Sequence, residues 1–341
     1  MTAHLVHHRL RGLFHRGTHA DQVQSDRSIP VLHRRFSRRA LRSPLPLHIT
    51  DQSTESFARA NGGSGRGANR IRRPKRRLEA QSVGTDRLKF LNLNVQGWNW
   101  ARIDNFMKTR SIVELLRSTG TDVATFSEVH NGDKDDTDIV YIEEFVFLIG
   151  KTISIVLGPK GRARWEAAGS VVVQHGPRIL QADLDLGSGA KLHVMAFYQK
   201  TGASSIELEE FHGHWREQHE KLGEFQIWAG DTNAHLGADF EGDGAHVGSH
   251  KLDQKTSMQG RRFSKYLMNY SLALVDSFMK CTMRGTWFHR HFKSWYENDV
   301  SLCSFGLRKK CQWVKTHAAT GISDHAAKIY LWHIGSPQKK G

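Results

Sequence analysis

Hydrophobic and polar residues alternate with the two-residue period of β-strands along much of the chain beyond residue 87. Residues 88–95 follow this alternation, which places Asn92 and Asn94 on one face of the predicted strand. Alternating, apolar or β-branched runs predict further strands. These cover residues 122–127, 145–149, 169–174, 179–186, 191–198, 225–229, 272–277, 286–289, 299–303, 312–315 and 326–332.

Apolar residues with helical spacing predict helices in three segments, around residues 112–119, 204–222 and 263–270. The first helix is expected to end at Gly120, a residue type that favours helix C-termini. The second opens with Ser204 and Glu207, which have the spacing of a capping box.

Many short strands and few helices favour a fold built on sheets. Two predicted strands flank Gly187-Ser188-Gly189, and this arrangement is typical of a β-hairpin. Hairpins argue against a purely parallel, doubly wound sheet. We therefore expect an α/β (α+β) domain in which two packed sheets carry helices on their outer faces.

Positive charge is concentrated at the start of the chain. Residues 1–86 contain 17 Arg and Lys against 6 Asp and Glu, a net charge of +11 out of +15 for the whole chain. This segment lacks apolar periodicity, whereas all nine Trp lie at or beyond Trp98. We therefore predict a basic, disordered tail over residues 1–86 and one globular domain over residues 87–341.

Three interpretations of the tail stay open at this point. It is a solvated extension without function, a nucleic-acid-binding segment or nuclear address, or an Arg- and Ser-rich transit peptide. Asp21 and Asp26 count against a transit peptide. We expect a nuclear or cytoplasmic protein, or a mitochondrial one if the tail is a transit peptide.

Membranes and disulfides are not expected to contribute. No apolar run reaches the ~18 residues that a bilayer-spanning helix needs, so the sequence indicates no membrane partner. Cys281, Cys303 and Cys311 form no CxxC pair, which favours a reducing compartment. No protein partner can be inferred.

Polar residues suited to binding and catalysis recur at predicted strand ends. Each segment alone resembles an ordinary turn or helix cap. A sheet whose strand ends converge on one edge would gather all of them into one cleft. The segments are Asn92–Gly97, Ser127–His130, Gly230–His235, Asn298–Val300 and Ser323–His325.

With these segments in this order, the sequence resembles the endonuclease/exonuclease/phosphatase superfamily, and within it the AP-endonuclease-like nucleases of LINE-type retrotransposons. The resemblance covers residues 88–331 and implies a four-layered α/β sandwich, two mixed β-sheets packed face to face with helices outside. Its motifs are Asn-Val-Gln-Gly at 94–97, Glu128, Tyr198, Gly-Asp-Thr-Asn-Ala-His at 230–235, Thr286-Trp287, Asp299 and Ser-Asp-His at 323–325.

The resemblance also implies roles for individual residues. The catalytic residues would be Asp231, Asn233, His325, Asp299 and Tyr198. The metal ligands would be Glu128, Asn94 and Asp324, and the substrate-binding residues would be Gln96 and Trp287. Mg²⁺ is the expected ion, with Mn²⁺ as an alternative, because carboxylate oxygens are the ligands that hard cations prefer.

The proposed roles follow the needs of phosphodiester hydrolysis. Asp231 would orient or deprotonate the attacking water, and Asn233 would hold that water or the phosphate. His325 would donate to a phosphate oxygen, while Asp299 fixes its tautomer. Tyr198 would contact the phosphate; a register error of one residue would put Phe197 there instead and remove the hydroxyl.

Two departures from the family pattern bear on these expectations. Gln96 stands where AP endonucleases carry an Asp, which predicts a weaker metal site. Asn298 and Val300 replace an apolar and an aromatic residue beside Asp299, so the strand there is the least secure prediction.

The function expected from this resemblance is a metal-dependent phosphodiesterase, specifically an endonuclease that acts on DNA or another nucleic acid. One alternative is a phosphatase or phosphodiesterase for small or lipid phosphate esters, because the same catalytic residues serve both. An alternative of another class is a non-catalytic nucleic-acid-binding relic.

Overall fold

The computed structural model describes residues 87–132, 136–252 and 255–334, with the side chain of residue 103 left aside. The predicted basic tail therefore lies outside the described residues. The described strands are β1 Arg87–Trp98, β2 Val123–Val129, β3 Asp138–Ile142, β4 Phe145–Ile149, β5 Ile153–Leu157, β6 Val172–Gln174, β7 Ile179–Gly187, β8 Ala190–Tyr198, β9 Gln226–Asp231, β10 Leu272–Leu274, β11 Trp287–His289, β12 Ser294–Tyr296, β13 Asp299–Ser304, β14 Cys311–His317 and β15 Ala327–His333. The described α-helices are α1 Phe106–Thr119, α2 Pro159–Ala167, α3 Ser205–Leu222, α4 Met258–Asn269 and α5 Phe305–Arg308.

The strands form two large mixed sheets and a two-stranded ribbon. The first sheet has the order β14-β15-β1-β2-β5-β4-β3, and the second has the order β10-β13-β9-β8-β7-β6. Each contains one parallel pair, β1 with β2 and β8 with β9, among antiparallel neighbours. β11 and β12 form the separate two-stranded ribbon. The mixed pairing agrees with the prediction from the hairpin between β7 and β8.

Three hydrophobic clusters define four layers. One fills the space between the two sheets, with side chains from both, such as Phe90 and Val194. A second lies between the first sheet and α1, and a third between the second sheet and helices α3 and α4. The order helix, sheet, sheet, helix confirms the predicted fold class. No described helix is long and apolar enough to cross a membrane.

The predicted C-terminal glycine of α1 and the predicted capping box of α3 are both present. Gly120 ends α1 with a φ of 61°, the left-handed conformation that glycine adopts without steric cost. Ser204 accepts a hydrogen bond from the backbone N–H of Glu207, whose carboxylate accepts one from the backbone N–H of Ser204. This capping box starts α3, which buries Phe211 and Trp215 against the second sheet.

α2 is not among the predicted helices, because its sequence has no apolar stripe. Pro159 occupies the first helical position, where its missing N–H costs nothing. Gly161 faces the backbone so closely that an added Cβ would lie 2.2 Å from the carbonyl oxygen of Asp122. Trp165 then fills the edge of the core between the sheets.

Asn92 links the two sheets close to the edge where the strand-end motifs lie. Its amide donates to the carbonyl oxygens of Gly230 (3.1 Å) and Val300 (3.2 Å), on β9 and β13 of the opposite sheet. Its amide oxygen accepts a hydrogen bond from the Thr125 hydroxyl at 3.0 Å. A buried amide with satisfied donors and acceptor fixes a specific arrangement. Asn92 therefore holds the ends of β1 and β2 over those of β9 and β13.

Candidate active site

The predicted site residues converge at one edge of the sandwich, where strands from both sheets end. Tyr198 on β8 and Asp299 on β13 are both paired with Asp231 on β9, one on each side. The first sheet contributes Asn94 from β1 and Glu128 from β2. Loops that follow β9 and precede β15 contribute the remaining predicted catalytic and metal-binding residues, Asn233, Asp324 and His325.

Asn94 joins the carboxylates of the two sheets. Its amide nitrogen lies 2.9 Å from Glu128 Oε1 and 2.8 Å from Asp231 Oδ2. The Tyr198 hydroxyl donates to the same Glu128 oxygen at 3.2 Å. Phe197, by contrast, is buried in the outer core. The hydroxyl-bearing residue therefore faces the site, in the predicted register.

Asp299 and His325 form a buried pair. His325 Nδ1 lies 2.7 Å from Asp299 Oδ2, and the other oxygen of Asp299 accepts from the backbone N–H of Asn94 at 3.1 Å. The Thr286 hydroxyl oxygen accepts hydrogen bonds from the backbone N–H groups of Asn298 and Asp299, both at 3.1 Å. These contacts fix the start of β13, so the strand predicted least securely is present.

The surroundings of Asp231 and His325 shift the pKa values of both residues. Burial, reinforced by the charge of Asp299, raises the pKa of Asp231 to about 7. Burial lowers the pKa of His325, but the charge and hydrogen bond of Asp299 outweigh it, and the pKa rises to about 9. Near neutral pH His325 is therefore a cation, while Asp231 is present in both its protonated and its ionised form. Burial, followed by the charge of Glu128, raises the pKa of Tyr198, which stays protonated.

Two groups of side chains could hold a cation. One ligand atom from each of Asp231, Asp299 and His325 lies within 4.8 Å of the others, but His325 already pairs there with Asp299. Glu128 is half-buried and the Asp324 side chain is 38% exposed, so both carboxylates can receive a hydrated ion. Their hard oxygen atoms suit Mg²⁺. The roles of Glu128, Asn94 and Asp324 as ligands stay predictions.

Three site residues, Gln96, Glu128 and Asn233, have left-handed backbone conformations, with φ of 46°, 57° and 43°. Non-glycine residues seldom adopt this region, and such strain concentrates at functional sites. At Gln96 it accompanies an irregularity in the β1–β2 register between Asn94 and Trp98. Regular strand alternation therefore does not extend through Gln96.

The bulge nevertheless brings Gln96 to the site. Its side-chain oxygen accepts the backbone N–H of Asp324 at 3.4 Å. Trp287 lies beside the same loop, with its indole N–H 3.3 Å from Asp324 Oδ2 and its ring stacked on His325 at 6.2 Å between centroids. The structure thus brings both predicted substrate-binding residues to the cleft; their contact with substrate stays a prediction.

Sequence reasoning missed two contributors to the site. Lys108, on α1, donates to the carbonyl oxygen of Gln96 at 3.0 Å. The carbonyl oxygen of Gln199 accepts a hydrogen bond from the Asn233 amide at 2.7 Å and so orients that side chain. A lysine in an amphipathic helix and a glutamine after a strand carry no signal of their own, so only the tertiary structure identifies them.

Two mixed sheets that share a polar edge in this topology define the endonuclease/exonuclease/phosphatase fold, and the chain has that fold. The endonuclease domain of TRAS1, a telomere-specific non-LTR retrotransposon, is similar over 73% of this chain and 100% of its own, with a TM-score of 0.50 and 11% identity. AP endonuclease LMAP from Leishmania major is similar over 74% of this chain and 88% of its own, with a TM-score of 0.53 and 13% identity. No family model and no curated protein matches the sequence.

Proposed function

We propose that the chain is a Mg²⁺-dependent endonuclease that hydrolyses phosphodiester bonds in DNA, of the kind that non-LTR retrotransposons carry. The observation that carries this proposal is the buried Asp299–His325 pair, 2.7 Å apart, beside a second buried carboxylate, Asp231. This arrangement offers a proton donor and a proton acceptor at one point. Phosphodiester hydrolysis needs both.

Asp231 is the base in this mechanism. A general base works best when its pKa is near the working pH, and the pKa of Asp231 is about 7. The backbone N–H of Asn233 donates to Asp231 Oδ1 at 2.8 Å, which orients the carboxylate. One N–H of the Asn233 amide is used by Gln199, and the other can hold the attacking water or a phosphate oxygen.

His325 donates to the phosphate. Because Asp299 binds Nδ1, the Nε2–H of the imidazolium is left for a phosphate oxygen on which negative charge develops. Asp299 has no exposed surface, so it retains its contact with His325 while DNA binds. Asp299 acts on the reaction through His325.

Glu128 and Asp324 would hold the cation, with Asn94 positioned between Glu128 and Asp231. When bound, Mg²⁺ supplies positive charge to the phosphate and to the departing alkoxide. Tyr198 and Asn94 orient Glu128 by donating to the same oxygen, and within the described part of the chain its second oxygen accepts no hydrogen bond.

DNA is favoured as substrate by two observations. Residues 1–86 carry a net charge of +11, which suits a polyanion. Trp287 is partly exposed at the cleft, where an aromatic ring can stack on a base. The similarity to a retrotransposon endonuclease domain supports the same substrate class. Small or lipid phosphate esters would require neither feature.

The test is nicking of supercoiled plasmid by the purified chain of residues 1–341. Nicking in Mg²⁺ that stops in EDTA, together with the loss of most activity in Asp231→Asn, is expected. Release of phosphate from small esters without nicking would support the phosphatase alternative. Binding of DNA without any cleavage would indicate a non-catalytic relic and would overturn the proposal.

A further inference from the structure

Lys108 lies in the first turn of α1, directly above the bulge in β1. Its ammonium donates to the carbonyl oxygen of Gln96 at 3.0 Å, and its side chain is half-buried. An ammonium has three donors. Among the described residues Nζ has this single hydrogen-bond partner, so two N–H groups remain for water or a ligand.

Gln96 connects this ammonium to both predicted metal-binding carboxylates. The backbone N–H of Gln96 donates to Asn94 Oδ1 at 2.9 Å, and the Asn94 amide in turn donates to Glu128. The side-chain oxygen of Gln96 accepts the backbone N–H of Asp324 at 3.4 Å. Lys108 is thus attached to the rim of the site, on the side where Glu128 and Asp324 lie.

The Lys108 ammonium also interacts electrostatically with Asp324 and Glu128. Burial lowers the pKa of Lys108, whereas the charges of Asp324 and Glu128 act in the opposite direction. Both carboxylates are therefore close enough to act on the ammonium, although neither forms a hydrogen bond with it. Glu128, Asp324 and Lys108 together carry a formal charge of −1.

We propose that Lys108 is a built-in counter-ion of the metal site, which weakens cation binding in the free protein and attracts the DNA phosphate. This inference rests on the proposed function, because it takes Glu128 and Asp324 as the ligands. One ammonium serves both purposes, since it repels a divalent cation and attracts a phosphate. The phosphate brings negative charge, so the ion is held firmly only when DNA is present. Metal and DNA binding are coupled in this way.

The test uses two binding measurements on the full chain, neither of which depends on activity. Mn²⁺ binding is followed by electron paramagnetic resonance without DNA, and DNA binding by fluorescence anisotropy in EDTA. Lys108→Gln should bind Mn²⁺ roughly three- to tenfold more tightly, because a unit charge no longer repels the ion. It should bind DNA more weakly, with a salt slope smaller by about one. Damage to the fold would weaken both, so opposite shifts are specific to charge.

Two variants serve as controls. Lys108→Arg keeps the charge and should leave Mn²⁺ affinity unchanged. Lys265→Gln removes an exposed charge on α4, outside the proposed site, and should also leave Mn²⁺ affinity unchanged.

Glu128→Gln separates the two ways of failing. If it weakens Mn²⁺ binding while Lys108→Gln leaves it unchanged, the counter-ion inference is wrong and the metal site stands. If Glu128→Gln has no effect, the ligand assignment is wrong and the inference falls with it. Weaker Mn²⁺ binding in Lys108→Gln would also overturn the inference, because it would show a structural role.

Discussion

Replacing Asp299 by Asn tests the electrostatic basis of the proposed site. The Asp299 carboxylate accepts from His325 at 2.7 Å and is the main reason that the pKa of His325 rises from 6.5 to about 9. Asn preserves the shape but removes the charge. Burial then opposes the charged imidazole, while Asp231 still favours it. We expect the pKa of His325 to fall by about two units, or about 2.7 kcal/mol.

The measurement is a proton NMR titration of the metal-free protein, with the His325 signal among the 21 histidines assigned by its loss in His325→Gln. The pKa should move from about 9 to about 7 in Asp299→Asn. The rate of single-turnover nicking should fall by roughly 10²- to 10⁴-fold. The alkaline limb of its pH–rate profile should move to lower pH together with the pKa of His325. An unchanged titration of His325 would refute the assigned role of Asp299.

Three further predictions concern the metal, the tail and acid stability. Gln96→Asp adds negative charge beside Asp324 and should lower the Mg²⁺ concentration that gives half-maximal nicking. Glu128→Gln should raise that concentration. If Gln96→Asp needs as much Mg²⁺ as the unmodified protein, or more, the prediction is wrong. Deletion of residues 1–86 should flatten the salt dependence of DNA binding but preserve turnover at saturating DNA, and an unchanged salt slope would show a passive tail. Burial lowers the pKa of His212 to about 4, so its contribution to unfolding free energy is complete above pH 6.5 and should fall by about 3 kcal/mol as the pH drops to 4. Urea denaturation at pH 7 and 4.5 should show a smaller loss in His212→Phe; an equal loss would rule out His212 as the cause.

Period-two patterning predicted most strands and the fold class, because alternation is decided locally by which face is buried. The positions of Asn94 and Asp231 near the ends of predicted strands likewise predicted that both lie at one edge of the sandwich. Local patterning says little about a bulge, however. Gln96 has φ of 46° without being a glycine, and its contacts with Lys108 and Asp324 come from distant parts of the sequence.

The elements that escaped prediction depend on tertiary contacts. α2 has Gly161 and Trp165 as its buried residues, too few for a helical stripe, and its position depends on close approach to Asp122. Lys108 resembles any polar residue of an amphipathic helix. Its place beside Gln96 follows from the packing of α1 on the first sheet, which the sequence of α1 alone does not specify.

β15, the last described strand, pairs with β1, the first, with Arg87 opposite His333. The site is assembled over the same distances: Asn94 contacts Asp299 across 205 positions of sequence. Contacts this far apart form late, because chain closure must come first. During synthesis, a chain still short of Asp324 and His325 lacks the proposed proton donor and one proposed cation ligand. If the proposed nuclease function holds, a nascent polypeptide, although already rich in basic residues, is unable to cut nucleic acid before β15 docks.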